Sequence, residues 1–134
     1  MQTRQNEAGF TLIGMLIAVG IVAILAMIAV PKFTSAIASA NTAKIQSDLS
    51  TLDTAIALYE IDNGKPPTGI ADLKEYLQDA EVKPPKGKFY ANGSVTEPKE
   101  PTKATEYAIE NGRAVFDGKT VSEFGKTAKT ESGS

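Results

Sequence analysis

The sequence predicts an α+β fold, in which one long amino-terminal helix packs against a short helix and a small antiparallel β-hairpin. Three observations support this: an uncharged apolar run over residues 10–30, a helical spacing of apolar residues continuing to about Asp62, and an alternating pattern around Asn111-Gly112. Apolar residues at intervals of three and four favour a helix, and alternation around Asn-Gly favours a two-residue hairpin. We therefore expect a small head that folds on the second half of the long helix.

Composition limits the chemistry available to this chain. It has 134 residues with neither cysteine nor histidine, so disulfides, thiolate metal sites and a histidine general base are all excluded. Lys and Arg number 14 against 16 Asp and Glu, for a formal net charge of −2. Nothing resembles a nucleic-acid-binding face. We expect no enzymatic activity, no cofactor and no specific nucleic-acid partner, although a hydrolytic enzyme stays as a weak third option.

Residues 10–30 form the first half of the long helix and carry no charge. A helix rises about 1.5 Å per residue, so such a run matches the roughly 30 Å hydrocarbon core of a bilayer. It therefore predicts a single membrane-spanning helix. Arg4 precedes the run, and positive charge favours the cytoplasmic side, which places the rest of the chain outside the cytoplasm.

Two other interpretations of this apolar run compete with a membrane span. A secretory signal peptide is suggested by Ala38-Ser39-Ala40, but that triplet lies well past Pro31, and the run exceeds the about 7–15 apolar residues typical of such peptides. A buried helix of a globular core would need a large covering shell. The remaining chain is too small to provide one.

After Pro31 the helix is expected to become amphipathic, over residues 31–62. Asn63-Gly64 supplies a left-handed stop, and Pro66-Pro67 prevents continuation. The helical spacing predicts an apolar stripe that the head must cover, made of Phe33, Ile37, Ile45, Leu49, Leu52, Ile56 and Tyr59.

Residues 63–117 are expected to form the head, and residues 118–134 a polar, flexible tail. Residues 70–77 place apolar side chains on one face of a short helix, and residues 88–90 allow at most a short strand. A hairpin is predicted over residues 106–116. Its expected inward positions are Tyr107, Ile109, Ala114 and Phe116.

Gly9-Phe10-Thr11-Leu12-Ile13, preceded by Ala8 and followed by the apolar run, resembles the processing site of type IV pilins and type II secretion pseudopilins. The resemblance implies that a prepilin peptidase cuts between Gly9 and Phe10, removes the leader 1–9 and methylates the new amino terminus of Phe10. Pro31 matches the proline at the outer end of the family's apolar segment, where a kink or local loosening is expected because proline removes a backbone donor.

A further match lies at residues 52–68 and Leu73, which resemble the end of the long helix and the following turn in pseudopilins of the major, G-like type. One position departs from the pattern. Gly14 stands where the family usually carries a glutamate that pairs with a neighbouring subunit's amine, so that pair cannot form. Gly14 therefore leaves open whether the subunit is major or minor in a filament, and it is also compatible with an atypical or engineered subunit. A structural alternative is that Gly14 and Gly20 let neighbouring helices approach closely.

The resemblance implies a structural subunit of a helical homo-oligomeric filament, most simply a type II secretion pseudopilus. Its partners would be the prepilin peptidase, an inner-membrane assembly platform with its ATPase, and minor pilins. The expected location is the bacterial inner membrane and then a periplasmic or extracellular filament. The alternatives are a type IV or competence pilus subunit, serving adhesion, motility or DNA uptake, and an unprocessed membrane-anchored binding domain.

Two remaining groups of charged residues are candidate binding sites. G-like pseudopilins often bind Ca²⁺ near the carboxyl terminus, but Asp117, Glu123 and Glu131 are sparse here, so we expect solvated acids and no metal. A basic cluster, Lys83, Lys86 and Lys88, could touch an anion. A solvated loop is the simpler interpretation.

Overall fold

The computed structural model describes residues 3–78, 81–92, 101 and 105–125, with the backbone alone over residues 3–10. In chain order the elements are a long helix α1 (Thr3–Asn63), a 3₁₀ helix (Ile70–Tyr76), strands β1 (Tyr107–Glu110) and β2 (Arg113–Phe116), and a second 3₁₀ helix (Val121–Glu123). The predicted α+β class is confirmed.

Helix α1 is 61 residues long and contains Pro31 in its interior. Its end confirms the predicted stop, because Gly64 adopts a φ of 68°. The N–H of Gly64 donates to the carbonyl oxygen of Glu60 at 2.8 Å, which closes the last turn. The chain divides into two compact units, Met1–Ala36 and Ile37–Ser134.

The second unit is organised around one stripe of α1. Buried positions on the helix follow at intervals of three and four from Ala38 through Thr42 and Ile45 to Leu49, Leu52 and Ile56. Together with buried residues of the head they form one core, made of Ile45, Leu49, Leu52, Ala55, Ile56, Leu73, Phe89, Ala91, Tyr107, Ala114, Phe116 and Phe124.

The predicted stripe is wrong at its beginning. Phe33 is 66% exposed and Ile37 is 60% exposed, so neither is covered by the described part of the chain. Consecutive helical residues differ by about 100° in direction, and the buried face passes through Ala38 and Thr42, one position beyond Ile37. The apolar period found Ile45 and its successors correctly, but it could not show where the cover begins.

The hairpin has the predicted turn and register. Strands β1 and β2 pair antiparallel, with Tyr107 opposite Phe116 and Glu110 opposite Arg113. Asn111 and Gly112 have φ of 52° and 77°, as a turn with two left-handed residues requires. The four predicted inward residues are buried or half-buried, and Val115 is buried as well. Side chains alternate along a strand, so β2 is covered on both faces.

Residues 118–125 belong to the head, which differs from the tail expected from Gly118 onward. Phe124 is 2% exposed, and its ring centroid lies 5.6 Å from that of Phe89 and 6.2 Å from that of Phe116. The Gly125 N–H donates to the carbonyl of Tyr90 at 3.0 Å. Burying one large aromatic offsets the entropy of ordering this short segment. Residues 126–134 lie outside the described residues.

The core assignment makes a prediction about stability. Leu49→Ala should lower the free energy of unfolding of the head by about 2–5 kcal/mol, because it removes a fully buried side chain and leaves a cavity. Denaturant unfolding of the detergent-solubilised chain, followed by tyrosine fluorescence, measures this. Leu58→Ala is the matched control on the same helix, since Leu58 is 45% exposed and should cost about 0.5 kcal/mol or less. Equal losses in the two variants would contradict the assigned core.

Candidate assembly and processing site

The apolar half of α1 presents its side chains outward on all sides. Between Leu12 and Val30, the large apolar side chains are from 53% exposed at Ile21 to 78% exposed at Met27. Within the described residues there is one helix long and apolar enough to cross a membrane, judged by length and composition, and its most apolar stretch has no buried residue. An apolar surface this large is unstable in water. Lipid or other protein must therefore cover it.

Gly14 and Gly20 lie within this exposed surface. Apart from the helix's own nearby backbone, a Cβ added at either position would meet no atom within 4 Å, so nothing in the described part of the chain requires glycine there. Glycine costs helix stability relative to alanine. At about 100° per residue the two glycines point about 120° apart, so each opens a different side of the helix. Small residues of this kind let neighbouring helices approach closely.

The predicted processing residues Gly9 and Phe10 lie within α1, where Gly9 directly precedes the apolar half, residues 10–30, and Phe10 is its first residue. Their side chains are outside the described set, so their role stays a prediction. The competing signal-peptide site has a different setting. Ala38 lies inside α1 and is fully buried, which is a poor substrate geometry for a peptidase.

Pro31 lies inside α1, and the helix continues on both sides of it. Proline has no N–H to donate to the carbonyl of Met27, so one helical hydrogen bond is missing. Nearby, the Thr34 hydroxyl donates to the carbonyl oxygen of Val30 at 3.2 Å. The predicted kink at Pro31 stays a prediction.

Two aspartates of α1, Asp48 and Asp53, hold the hairpin against the helix, and the sequence patterns did not indicate either of them. Asp48 accepts a hydrogen bond from the Tyr107 hydroxyl at 2.6 Å and pairs with Lys44 at 2.7 Å. Burial of the phenol, and then its bond to Asp48, raise the pKa of Tyr107 above its ordinary value. An acid facing a buried tyrosine is a contact across many residues, so no local pattern signals it.

The second of these aspartates, Asp53, binds the first residues of β2. Its carboxylate accepts the backbone N–H of Ala114 at 2.8 Å and a guanidinium N–H of Arg113 at 3.1 Å. Both partners are donors, so the carboxylate is satisfied where the strand begins. The hairpin is therefore tied to α1 by polar contacts at two points as well as by the core.

The acids tested as metal ligands are occupied by other contacts. Asp117 is 3% exposed and pairs with the Lys119 ammonium at 3.3 Å. Glu123 accepts from the Thr120 N–H at 2.7 Å and from its hydroxyl, forming a capping box on the second 3₁₀ helix. Among the described residues no group of three or more acidic, histidine or cysteine side chains could hold an ion. Glu131 lies outside them.

The turn after α1 is also held by a carboxylate. Asp72 accepts both the backbone N–H and the hydroxyl of Thr68, at 2.9 and 2.8 Å. These hydrogen bonds, the hydroxyl first, lower the pKa of Asp72 below its ordinary value. Beside it, the Tyr76 hydroxyl donates to Asp62 at 3.0 Å, and its ring packs edge-on against Tyr59. This is a structural connection between the 3₁₀ helix and the end of α1.

Comparison with known proteins places these features in a family. The family model described as the prokaryotic N-terminal methylation motif matches residues 4–30. Type II secretion system core protein G of Klebsiella michiganensis is 32% identical over 87 residues, which are 65% of this chain and 61% of that protein. Competence protein ComGC of Halalkalibacterium halodurans is 34% identical over 85 residues, 62% of this chain and 81% of that protein.

A longer but weaker match extends into the head. Core protein G of Pectobacterium carotovorum subsp. carotovorum is 26% identical over 110 residues, which are 82% of this chain and 70% of that protein. The match to the Klebsiella michiganensis protein spans less than two thirds of its length. No solved structure matches this chain at comparable significance. From the methylation motif, the exposed apolar helix and these relatives, the chain belongs to the family of type IV pilins and type II secretion pseudopilins.

Proposed function

We propose that this chain is a structural subunit of a type IV pilus-like filament, specifically a type II secretion pseudopilus. The observation that carries the proposal is the apolar half of α1, whose side chains have no cover within the described chain. Core protein G among the relatives supports the choice of a pseudopilus. The proposed role is structural, and no catalysis is assigned to the chain.

Moving this helix from the bilayer into a filament requires little free energy. A free subunit keeps the apolar half of α1 in the bilayer, where lipid tails cover it. A filament offers the same surface the apolar sides of neighbouring helices, so leaving the lipid need cost little. Gly14 and Gly20 would open two sides of each helix to such neighbours. The filament is therefore proposed to hold these helices in parallel at its centre.

The presence of Gly14 in place of the family's usual glutamate changes how a subunit would join the filament. Without the glutamate usual in the family, no buried carboxylate can pair with the free amine of a neighbour. Recruitment would then depend on helix packing and on contacts between heads.

Maturation is proposed to follow the family pattern. A prepilin peptidase cuts between Gly9 and Phe10 and methylates Phe10, and the methylation-motif match at residues 4–30 spans both sides of that bond. The head is proposed to lie outside the cytoplasm with one membrane span. The proposed partners are further copies of the chain, minor pilins, and an inner-membrane platform with its ATPase.

A competence pilus is the second candidate. Its support is competence protein ComGC, which this chain matches over 81% of that protein's length at 34% identity. The two candidates share the helix, the processing step and the polymer. They differ in the process that the filament supports, protein export or DNA uptake, so an assay of that process distinguishes them.

Processing is the first testable consequence. Intact mass and amino-terminal sequencing of the chain from its native host should find it beginning at methylated Phe10. Gly9→Ala should retain residues 1–9, because the peptidase is expected to require glycine before the cut. Gly14→Ala is the matched control and should be processed normally, since a Cβ there meets no atom within 4 Å apart from the helix's own nearby backbone.

Other amino termini would contradict the proposal in distinct ways. A wild-type chain that still begins at Met1 would indicate an uncut membrane anchor. A chain that begins after Ala40 would indicate a secreted domain released by signal peptidase.

The identity of the filament is tested by deleting the gene in the native host. A pseudopilus predicts that export of secreted proteins stops while DNA uptake continues, and that a plasmid encoding the wild-type chain restores export. A plasmid encoding Gly9→Ala should fail to restore it. Loss of DNA uptake with normal export would assign the competence role instead.

A further inference from the structure

The second unit carries two exposed surfaces far apart along its part of α1. The tip surface consists of Leu58, Glu60, Ile61 and Asp62, just before the helix ends at Asn63. The basal loop is residues 83–88. The side-chain amide of Asn41 donates to the carbonyl oxygens of Lys86 and Lys88, at 3.2 and 3.0 Å, which fixes the loop beside residue 41. Twenty residues of helix separate the two, or about 30 Å at 1.5 Å per residue.

The tip surface is apolar at its centre and acidic at its edges. Ile61 is 78% exposed and Leu58 is 45% exposed. At about 100° per residue, Glu60 and Asp62 flank this apolar pair around the helix. Asp62 accepts the Tyr76 hydroxyl, and no ion pair within the described residues uses Glu60 or Asp62. The helix leaves this face without cover.

The basal loop has the opposite charge. Lys86 and Lys88 are exposed and form no ion pair with any described residue, while Lys83 pairs with Glu81 at 3.2 Å. Pro84 and Pro85 of this loop, with Phe116, line a cavity of about 590 Å³. Glu106 also lines it, so the cavity is apolar in part and carries one acid among the lysines. An apolar side chain flanked by carboxylates matches this surface.

We infer that the tip surface of one copy docks on the basal loop of the next copy in the filament. The inference rests on the proposed function, because it requires polymerisation. Contact between two different surfaces of the same chain is heterologous, and it propagates without closing when the copies lie parallel. Two tips brought together would place Glu60 against Glu60, and two basal loops would place lysines together. Like charges oppose both symmetric dimers, so the charge pattern favours head-to-tail contact.

Engineered cysteines test the contact directly, because the chain has none of its own. The double variant Ile61→Cys with Lys86→Cys, assembled into filaments and oxidised, should give a ladder of cross-linked multimers on a non-reducing gel. A disulfide within one copy is excluded, since it needs Cα atoms within about 7 Å and the two sites lie about 30 Å apart. Thr51→Cys with Lys86→Cys is the control and should give no ladder, since Thr51 is exposed in the middle of the same helix segment.

Charge reversal gives an independent reading that does not depend on oxidation. Glu60→Lys and Lys86→Glu should each reduce the yield of sheared filaments several-fold, and the combined variant should recover most of it. Recovery by a second reversal is not expected if either residue only stabilises its own head. A cross-linked ladder, together with recovery of filament yield in the doubly reversed variant, would support docking of the tip surface on the basal loop.

Three results would overturn it. The first is filaments of normal appearance that give no ladder and no effect of reversal. The second is cross-linking by Ile61→Cys alone, which would mean tip-to-tip contact. The third is a wild-type chain that is processed but forms no polymer, which removes the proposed function as well. In the first two cases the filament role stands and only this contact fails.

Discussion

The structure depends on one constraint, which is that the apolar side chains between residues 11 and 30 must be shielded from water. Their exposure is high on every side of α1, and the described residues bury none of the most apolar stretch. A helix of this kind is stable only in lipid or among other apolar helices. Its environment is therefore a bilayer or an assembly, and the proposed filament function uses both in succession. Gly14 and Gly20, which nothing in the described chain requires, fit the second environment.

The second half of α1 has the opposite property, because its apolar stripe is buried by the small head of the same chain. A head of this size has no disulfide to stabilise it, so its core must come from packing against the helix stripe through Ile45, Leu49 and Leu52. Asp48 and Asp53 add polar contacts that fix the hairpin on that stripe. The helix that is proposed to carry assembly thus also organises the fold of the head. This arrangement leaves the tip surface and basal loop exposed at a fixed separation.

The sequence predicted those elements whose signals are local. The period through Leu49 and Leu52, the stop at Gly64, and the Asn111-Gly112 turn each have a short-range cause, and each is confirmed. The sequence did not predict burial where burial depends on which other elements pack against a residue. Ile37 has the right spacing but no covering element, and Phe124 is one aromatic among small polar residues, without a period to reveal it. The Thr120 and Glu123 capping box was a readable sign that the chain stays ordered there. The processing junction between Gly9 and Phe10 rests on the motif alone and stays a prediction, because the side chains of these residues lie outside the described part of the structure.

The most direct measurement is a helical reconstruction, by electron cryomicroscopy, of filaments sheared from cells that express the complete assembly system. The account predicts a centre built from parallel helices of residues 10–30 in apolar contact, with the heads on the outside and Phe10 as the first residue. Two results would contradict it: a polymer whose centre lacks the apolar half of α1, or a processed chain that stays dispersed in the membrane although the assembly system is present.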